Sequence, residues 1–169
     1  MPKLEVGPDA SHDHLVLVRT ATGADLDFVT DLAGEVFTVY GDYRTLLPQW
    51  FRTSGVTTYV SESGGVRTGY VMLAFFTEGR LVVGDVLAVA VAPAHQSRGI
   101  GRMLMTHAIT LCEQIAEHTP VRALRLSVAD TNSRAQALFS SLGFQRLEGD
   151  FGRYDGGQQA LHLERPIGP

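Results

Sequence analysis

Apolar positions change their period along the chain, and each change marks an element. His14 to Arg19 (H-L-V-L-V-R) is a short run of strand type. Thr20 to Thr22 supplies helix caps. Ala24 to Val39 follows with Leu26, Val29, Leu32, Val36 and Val39 at helical spacing, until Gly41 breaks the pattern. Tyr43 to Arg52 predicts a weaker helix carrying Leu46, Leu47, Trp50 and Phe51. The period then shortens. Thr57 to Ser61 and Thr68 to Phe76 read as strands joined by a Gly64-Gly65 hairpin turn. A turn at Thr77 to Arg80 leads into Leu81 to Ala92, which is apolar on both faces, as a central strand covered on both sides requires.

The second half alternates helix and strand. Ile100 to Glu117 carries an apolar stripe of Ile100, Leu104, Ala108, Leu111, Cys112 and Ile115, with Arg102, Thr106, Thr110, Glu113 and Glu117 away from it. Pro120 ends that helix, and Ala123 to Ala129 reads as a strand. Asn132 to Leu142 is a helix stopped by Gly143. Phe144 to Leu147 and Ala160 to Glu164 are the last strands, separated by a glycine-rich segment from Gly149 to Gly157. The pattern predicts a mixed α/β (α+β) chain. Its sheet is mostly antiparallel and flanked by about four helices, with βαβ crossovers in the second half.

Composition narrows the classes. The 169 residues suit a single domain, here 14–165 behind a loose polar tail at 1–13, and can bury a core without staples. Hydrophobic residues make up 44% and charged residues 19%, which argues against disorder. The net charge of −4 carries no basic block, so no nucleic acid partner is expected. The single cysteine, Cys112, excludes an intrachain disulfide, and no Cys/His set has zinc-ligand spacing, so no metal is expected. No apolar leader or membrane-length run is present, which gives the expectation of a cytoplasmic protein without a membrane partner.

The segment with most chemistry is Val89 to Gly101, V-A-V-A-P-A-H-Q-S-R-G-I-G. A buried strand ends at Pro93, a loop follows, and a helix starts near Gly99. Unpaired N–H groups and the positive end of the helix dipole meet there, a combination suited to phosphate. Gly99 and Gly101 let a pyrophosphate approach the backbone, and Arg98 can add a charge-assisted bond. Taken alone, the segment reads equally as an ordinary strand-to-helix turn. The chain has no G-x-x-x-x-G-K-[ST] and no G-x-G-x-x-G after a strand.

Gln96-Ser97-Arg98-Gly99-Ile100-Gly101 resembles the Q/R-x-x-G-x-G/A signature of GNAT acetyltransferases, and Asn132…Ala135…Leu138-Phe139…Leu142-Gly143-Phe144 resembles that family's N-x-x-A-x-x-L-[YF]-x-x-L-G-F. The resemblance runs from about His14 to Glu164. It implies acetyl-CoA as cosubstrate, gripped through Val89, Val91, Gln96, Ser97, Arg98, Gly99, Ile100, Gly101 and Arg102, with Asn132 and Phe139 beside the pantetheine arm. It also implies acetyl transfer to an amine by direct attack, with the Val91 N–H as donor to the oxyanion.

That reaction needs a neutral amine, oxyanion donors and an acid for the leaving thiolate. Neutralising a lysine amine at pH 7 costs about 4–5 kcal/mol and an α-amine about 1 kcal/mol. Asp85, an acid in an apolar strand, is the candidate base. It falls where histone-type members of the family carry a catalytic glutamate, and a structural charge is its other reading. Glu78 and Glu148 are weaker candidates. Phe139 stands where many members keep a tyrosine acid. Tyr154 instead opens Y-D-G-G-Q-Q-A-L-H-L, which resembles the tyrosine-bearing ending of ribosomal-protein-type Nα-acetyltransferases, so Tyr154 is the candidate acid. Tyr40, Tyr43, Trp50 and Phe51 either line the acceptor pocket or pack on the sheet. Cys112 reads as a core thiol rather than a nucleophile, and His95 as a solvent-facing loop residue. The acceptor class stays open between a peptide or protein α-amine and an amine-bearing small molecule. A homodimer is possible, and a non-catalytic acyl-CoA-binding domain is the competing reading.

Overall fold

The computed structural model describes residues 15–168, so the expected polar tail and His14 lie outside the described residues. Seven strands form one sheet in the order β1-β2-β3-β4-β5-β7-β6. They are β1 (Val16–Thr20), β2 (Val56–Ser63), β3 (Val66–Glu78), β4 (Leu81–Val91), β5 (Val121–Ala129), β6 (Gln145–Arg146) and β7 (Ala160–Pro166). The helices are α1 (Leu26–Val36), α2 (Tyr43–Arg52), α3 (Ile100–Ala116) and α4 (Ser133–Ser141).

Among the described residues only β4 and β5 pair in parallel. The expected crossovers of the second half are β4-α3-β5 and β5-α4-β6, the second skipping one strand position in the sheet. After α4 the chain makes the two-residue β6 and loops back, so β7 inserts antiparallel between β5 and β6. The helix expected over Ala24 to Val39 is shorter. It opens with a 3-10 turn at Gly23–Asp25, held by a reciprocal cap between Thr22 and Asp25. It ends at Val36, and the last stripe residue, Val39, is 64% exposed in the turn that follows.

The apolar alternation explains the two layers. On one sheet face α3 buries Leu104, Met105, Ala108 and Cys112 against Val71, Leu73, Leu124 and Leu126. On the other, α1 and α2 bury Val29, Leu32 and Leu47 against Val60, Tyr70 and Met72. Each fully buried Leu or Met stabilises the fold by about 1.5–3 kcal/mol. The start of α1 is pinned to the sheet by Asp25, which is fully buried. Asp25 accepts from Arg19 Nη1 at 2.8 Å and Nη2 at 2.9 Å, from Arg67 Nε at 2.6 Å, and from the Thr22 N–H at 2.8 Å. These donors hold its carboxyl well below the usual carboxylate range.

Two irregularities open the sheet at its centre. In the β3–β4 register, Met72 faces Ala88 and Leu73 faces Val86, so Leu87 is an extra, bulged residue. The β4–β5 pairing stops at Val86↔Leu126, although both strands continue. The two strands therefore diverge beyond this row, and a cleft forms between them.

Candidate active site

The cleft wall on the β4 side is a row of backbone amides. Ala92 N–H donates to the Thr68 carbonyl on β3 at 2.8 Å. Backbone groups of an antiparallel strand alternate sides, so those of Val89 and Val91 point away from β3, to the side that β5 has left. The Val91 carbonyl accepts from Gln96 Nε2 at 3.0 Å, which ties the following loop to the strand end.

That loop is conformationally unusual. Ser97 has φ 65° and Gly99 φ 80°, both left-handed. A non-glycine residue in that region is uncommon and clusters at functional sites. Gly99 caps α3, and the first helical bond runs from Met103 N–H to the Gly99 carbonyl. The N–H groups of Ile100, Gly101 and Arg102 therefore have no acceptor within the helix and face the cleft mouth with the positive dipole end. Two arginines flank it. Arg134 donates to Ser97 Oγ, and Arg102 donates to Ser141 Oγ at 2.7 Å. Arg98 does not line this cleft, whereas Gln96, Ser97, Gly99, Ile100, Gly101, Arg102, Asn132 and Phe139 do. Asn132 caps α4 by accepting from Ala135 N–H at 3.2 Å. Phe139 is buried and meets Phe144 edge-on at 6.0 Å. The space between the loop, α3 and α4 is about 420 Å³, and its shape and donors suit an extended ligand with a pyrophosphate at one end.

The other end of the cleft holds Tyr154. Its hydroxyl lies 2.8 Å from Ser127 Oγ on β5, and its ring packs on Tyr40 at 5.5 Å. Burial raises the Tyr154 phenol above its ordinary value, with the Ser127 bond acting against that. The loop carrying Tyr154 is strapped to the α1–α2 turn, since Gly156 N–H donates to the Tyr40 carbonyl at 3.1 Å and Gln158 Nε2 to the Val39 carbonyl at 3.0 Å. A Cβ on Gly156 would sit 2.0 Å from the Val39 carbonyl oxygen, so this close approach requires glycine. Tyr40 and Tyr43 line the cleft with Tyr154. Trp50 and Phe51 pack against the α1–α2 side of the core instead.

Asp85 lies on the paired part of β4, opposite Arg125, and lines none of the cavities around the cleft. Burial raises its carboxyl above the ordinary value, with Arg125 acting against that. Arg125 donates to Glu164 Oε2 at 2.5 Å and Glu78 Oε2 at 2.7 Å. Glu78 is thereby an ion-pair partner, while Glu148 is exposed on the loop after β6. Cys112 is buried in the α3 core, and burial pushes its thiol up to about 11, which suits an inert core residue. Among the described residues no group of three or more His, Cys, Asp or Glu could hold a metal ion, and no helix is long and apolar enough to cross a membrane.

Three contributors escape sequence reading. Arg134 was visible only as the variable residue inside N-x-x-A. Ser127 and Phe37 carry no local signal, since only the fold brings them to the cleft.

A split parallel pair beside a left-handed loop and a helix N-terminus defines a mixed α/β domain built to hold an extended, phosphate-bearing ligand. The chain belongs to the Acetyltransferase (GNAT) family, whose sequence pattern matches residues 26–144. It is 32% identical over 114 residues to N-alpha-acetyltransferase 40 of Saccharomyces cerevisiae, an alignment that takes in 58% of this chain and 39% of that protein. The chain thus spans well under half the length of that curated relative. Its fold is shared with the ribosomal-protein-S18-alanine N-acetyltransferase from Escherichia coli (TM-score 0.75, 19% identity, covering 92% of this chain and 96% of that one). It is also shared with Arabidopsis thaliana NAA60 in complex with acetyl-CoA (TM-score 0.72, 14% identity, covering 90% and 99%).

Proposed function

We propose that this chain transfers the acetyl group of acetyl-CoA to a primary amine by direct attack, with a peptide or protein α-amine as acceptor. The observation that carries the reading is the left-handed Ser97–Gly99 loop at the head of α3, set beside the outward-facing amides of Val89 and Val91. The first group suits the coenzyme's pyrophosphate. The second suits its extended amide arm and the thioester oxygen. Tyr154 serves as the acid for the leaving thiolate, held at the cleft by Ser127 and Tyr40. Asp85 is the carboxylate that β4 offers as base, and it acts through water because it lies outside the cleft lining.

An α-amine acceptor is favoured by its small neutralisation cost, about 1 kcal/mol at pH 7, which asks little of a base. The curated relative with N-alpha-acetyltransferase in its name points the same way. A screen of acetyl-CoA against free-amine peptides, lysine side-chain peptides and polyamines, following thiol release, tests the reading. We expect turnover with peptides bearing a free α-amine. Acetyl-CoA binding without turnover on any amine would convert the chain into a binding domain and sink the proposal.

A further inference from the structure

Three cavities run in series along the cleft. The channel beside the head of α3, about 420 Å³, shares Val89, Asn132 and Phe139 with a much smaller chamber of about 110 Å³. That chamber in turn shares Tyr40, Tyr43 and Tyr154 with an outer cavity of about 390 Å³, bordered by the α1–α2 turn and by Asp155 of the glycine-rich loop. A thioester reaching in from the channel and an amine entering from the outer cavity meet in the chamber between them. The acyl group and the attacking nitrogen must therefore share its small volume.

One wall of the chamber is a product of the β4 bulge. Successive side chains of a regular strand alternate between the two faces of the sheet. Here Val86 and Val89 turn toward α3, whereas Leu87 and Ala88 both turn toward the α1–α2 layer. The extra residue, Leu87, thus adds a second side chain on a face where a regular strand would offer one. Leu87 borders the small chamber and neither of the larger cavities. Phe37 and Tyr43, with rings 5.5 Å apart, stand on the same wall. All three pack against the core of the α1–α2 layer, so the wall cannot retreat without disturbing a close-packed interior.

We infer that Leu87 sets the length of the acyl chain this protein transfers, by leaving room in the chamber for an acetyl group and excluding longer ones. This rests on the acetyltransferase reading above. Acyl length does not alter the step itself. The amine nitrogen bonds to the acyl carbon, the carbon–sulfur bond breaks, the amine loses a proton and the departing thiolate gains one. Discrimination is therefore steric, each added methylene pressing on the Leu87 wall. A pocket of this kind separates substrates that differ by one methylene by roughly 10–200-fold.

The test compares kcat/KM for acetyl-, propionyl- and butyryl-CoA with a panel of Xaa-Gly-Ala-Gly peptides, in wild type, Leu87→Ala, Leu87→Val and Leu46→Ala. Leu46 borders the outer cavity and not the chamber, so it serves as control. Wild type should lose at least about tenfold from acetyl to propionyl, and more to butyryl. Leu87→Ala should raise the longer donors relative to acetyl-CoA by about tenfold or more, and Leu87→Val by less. Leu46→Ala should keep the wild-type preference. Leu87→Val retains a β-branched side chain suited to a strand, so it carries the test if Leu87→Ala does not fold. Equal use of the three donors by wild type, a folded Leu87 variant with the wild-type preference, or the same shift in Leu46→Ala overturns the proposal and leaves the acetyltransferase reading standing. Wild type that turns over no amine with any donor fails that reading instead. Calorimetry of the three thioesters without an acceptor then decides for the chamber. Acetyl-CoA should bind wild type more tightly than butyryl-CoA, with a smaller gap in the Leu87 variants. Equal wild-type affinities, an unchanged gap, or no binding of any thioester overturns the proposal.

Discussion

The two ends of the cleft are built by opposite strategies. The end proposed for phosphate comes from one continuous stretch, Val89 to Arg102, where strand end, left-handed loop and helix start follow each other within a few residues. The end proposed for the acceptor is assembled from distant segments. Tyr40 comes from the α1–α2 turn, Ser127 from β5 and Tyr154 from the glycine-rich loop. A contiguous site depends on local backbone geometry and survives wherever the strand–loop–helix unit folds. A dispersed site depends on the whole sheet, on the loop strap at Gly156 and on the anchoring of α1. The difference suits a family with one donor and many acceptors, because the dispersed wall can vary without touching the cradle.

The largest effect should come from the acceptor end. Tyr154→Phe keeps the ring on Tyr40 and removes only the hydroxyl, so kcat should fall by about 10²–10⁴ with acetyl-CoA affinity unchanged. An unchanged kcat would remove this residue from the chemistry, and a weakened acetyl-CoA affinity would show that the two ends are not separable. Steady-state kinetics with a direct binding measurement decides.

Next comes the support of α1. Asp25→Ala leaves Arg19 and Arg67 without their buried partner, and breaking such a pair costs about 3–5 kcal/mol. Chemical denaturation should show that loss at pH 7. The folded-state carboxyl is held below its unfolded value, so its contribution is present above the ordinary carboxylate pKa and fades as pH falls below that value. The wild-type advantage over Asp25→Ala should therefore shrink in acid, and an advantage independent of pH would assign the loss to packing alone.

The smallest effect should be at the cradle. At Gly99 an added Cβ meets nothing within 4 Å, so the cost of Gly99→Val is the left-handed backbone, about 1–2 kcal/mol. That cost should appear as a matching loss of unfolding stability by chemical denaturation, and acetyl-CoA affinity should weaken, read by calorimetry, to the extent that the loop escapes the strain by leaving its left-handed conformation. Gly101 differs: its φ is ordinary, and a Cβ there would touch Leu138 at 3.4 Å, so its role is close packing of α3 on α4.

The same contrast explains what the sequence made legible. The helix Tyr43–Arg52 and the strands around Gly64-Gly65 follow from period and turn chemistry, as does the cradle, because every cue is local. Leu87 could not be recognised as a bulge, since a bulge is a mismatch between two strands and only the register with Met72 reveals it. Nor could the end of β4–β5 pairing be read, because both strands stay apolar past Val86 and Leu126. Asp85 drew attention as a lone acid in an apolar strand, yet the closed part of the sheet keeps it out of the cleft lining.

Backbone amide hydrogen exchange with and without acetyl-CoA tests the central claim most directly. The account predicts that acetyl-CoA slows exchange at Ser97 to Arg102 and at Val89 and Val91, while the β1–β2 edge is unaffected. Binding that protects another part of the molecule, or no protection at the head of α3, would contradict it.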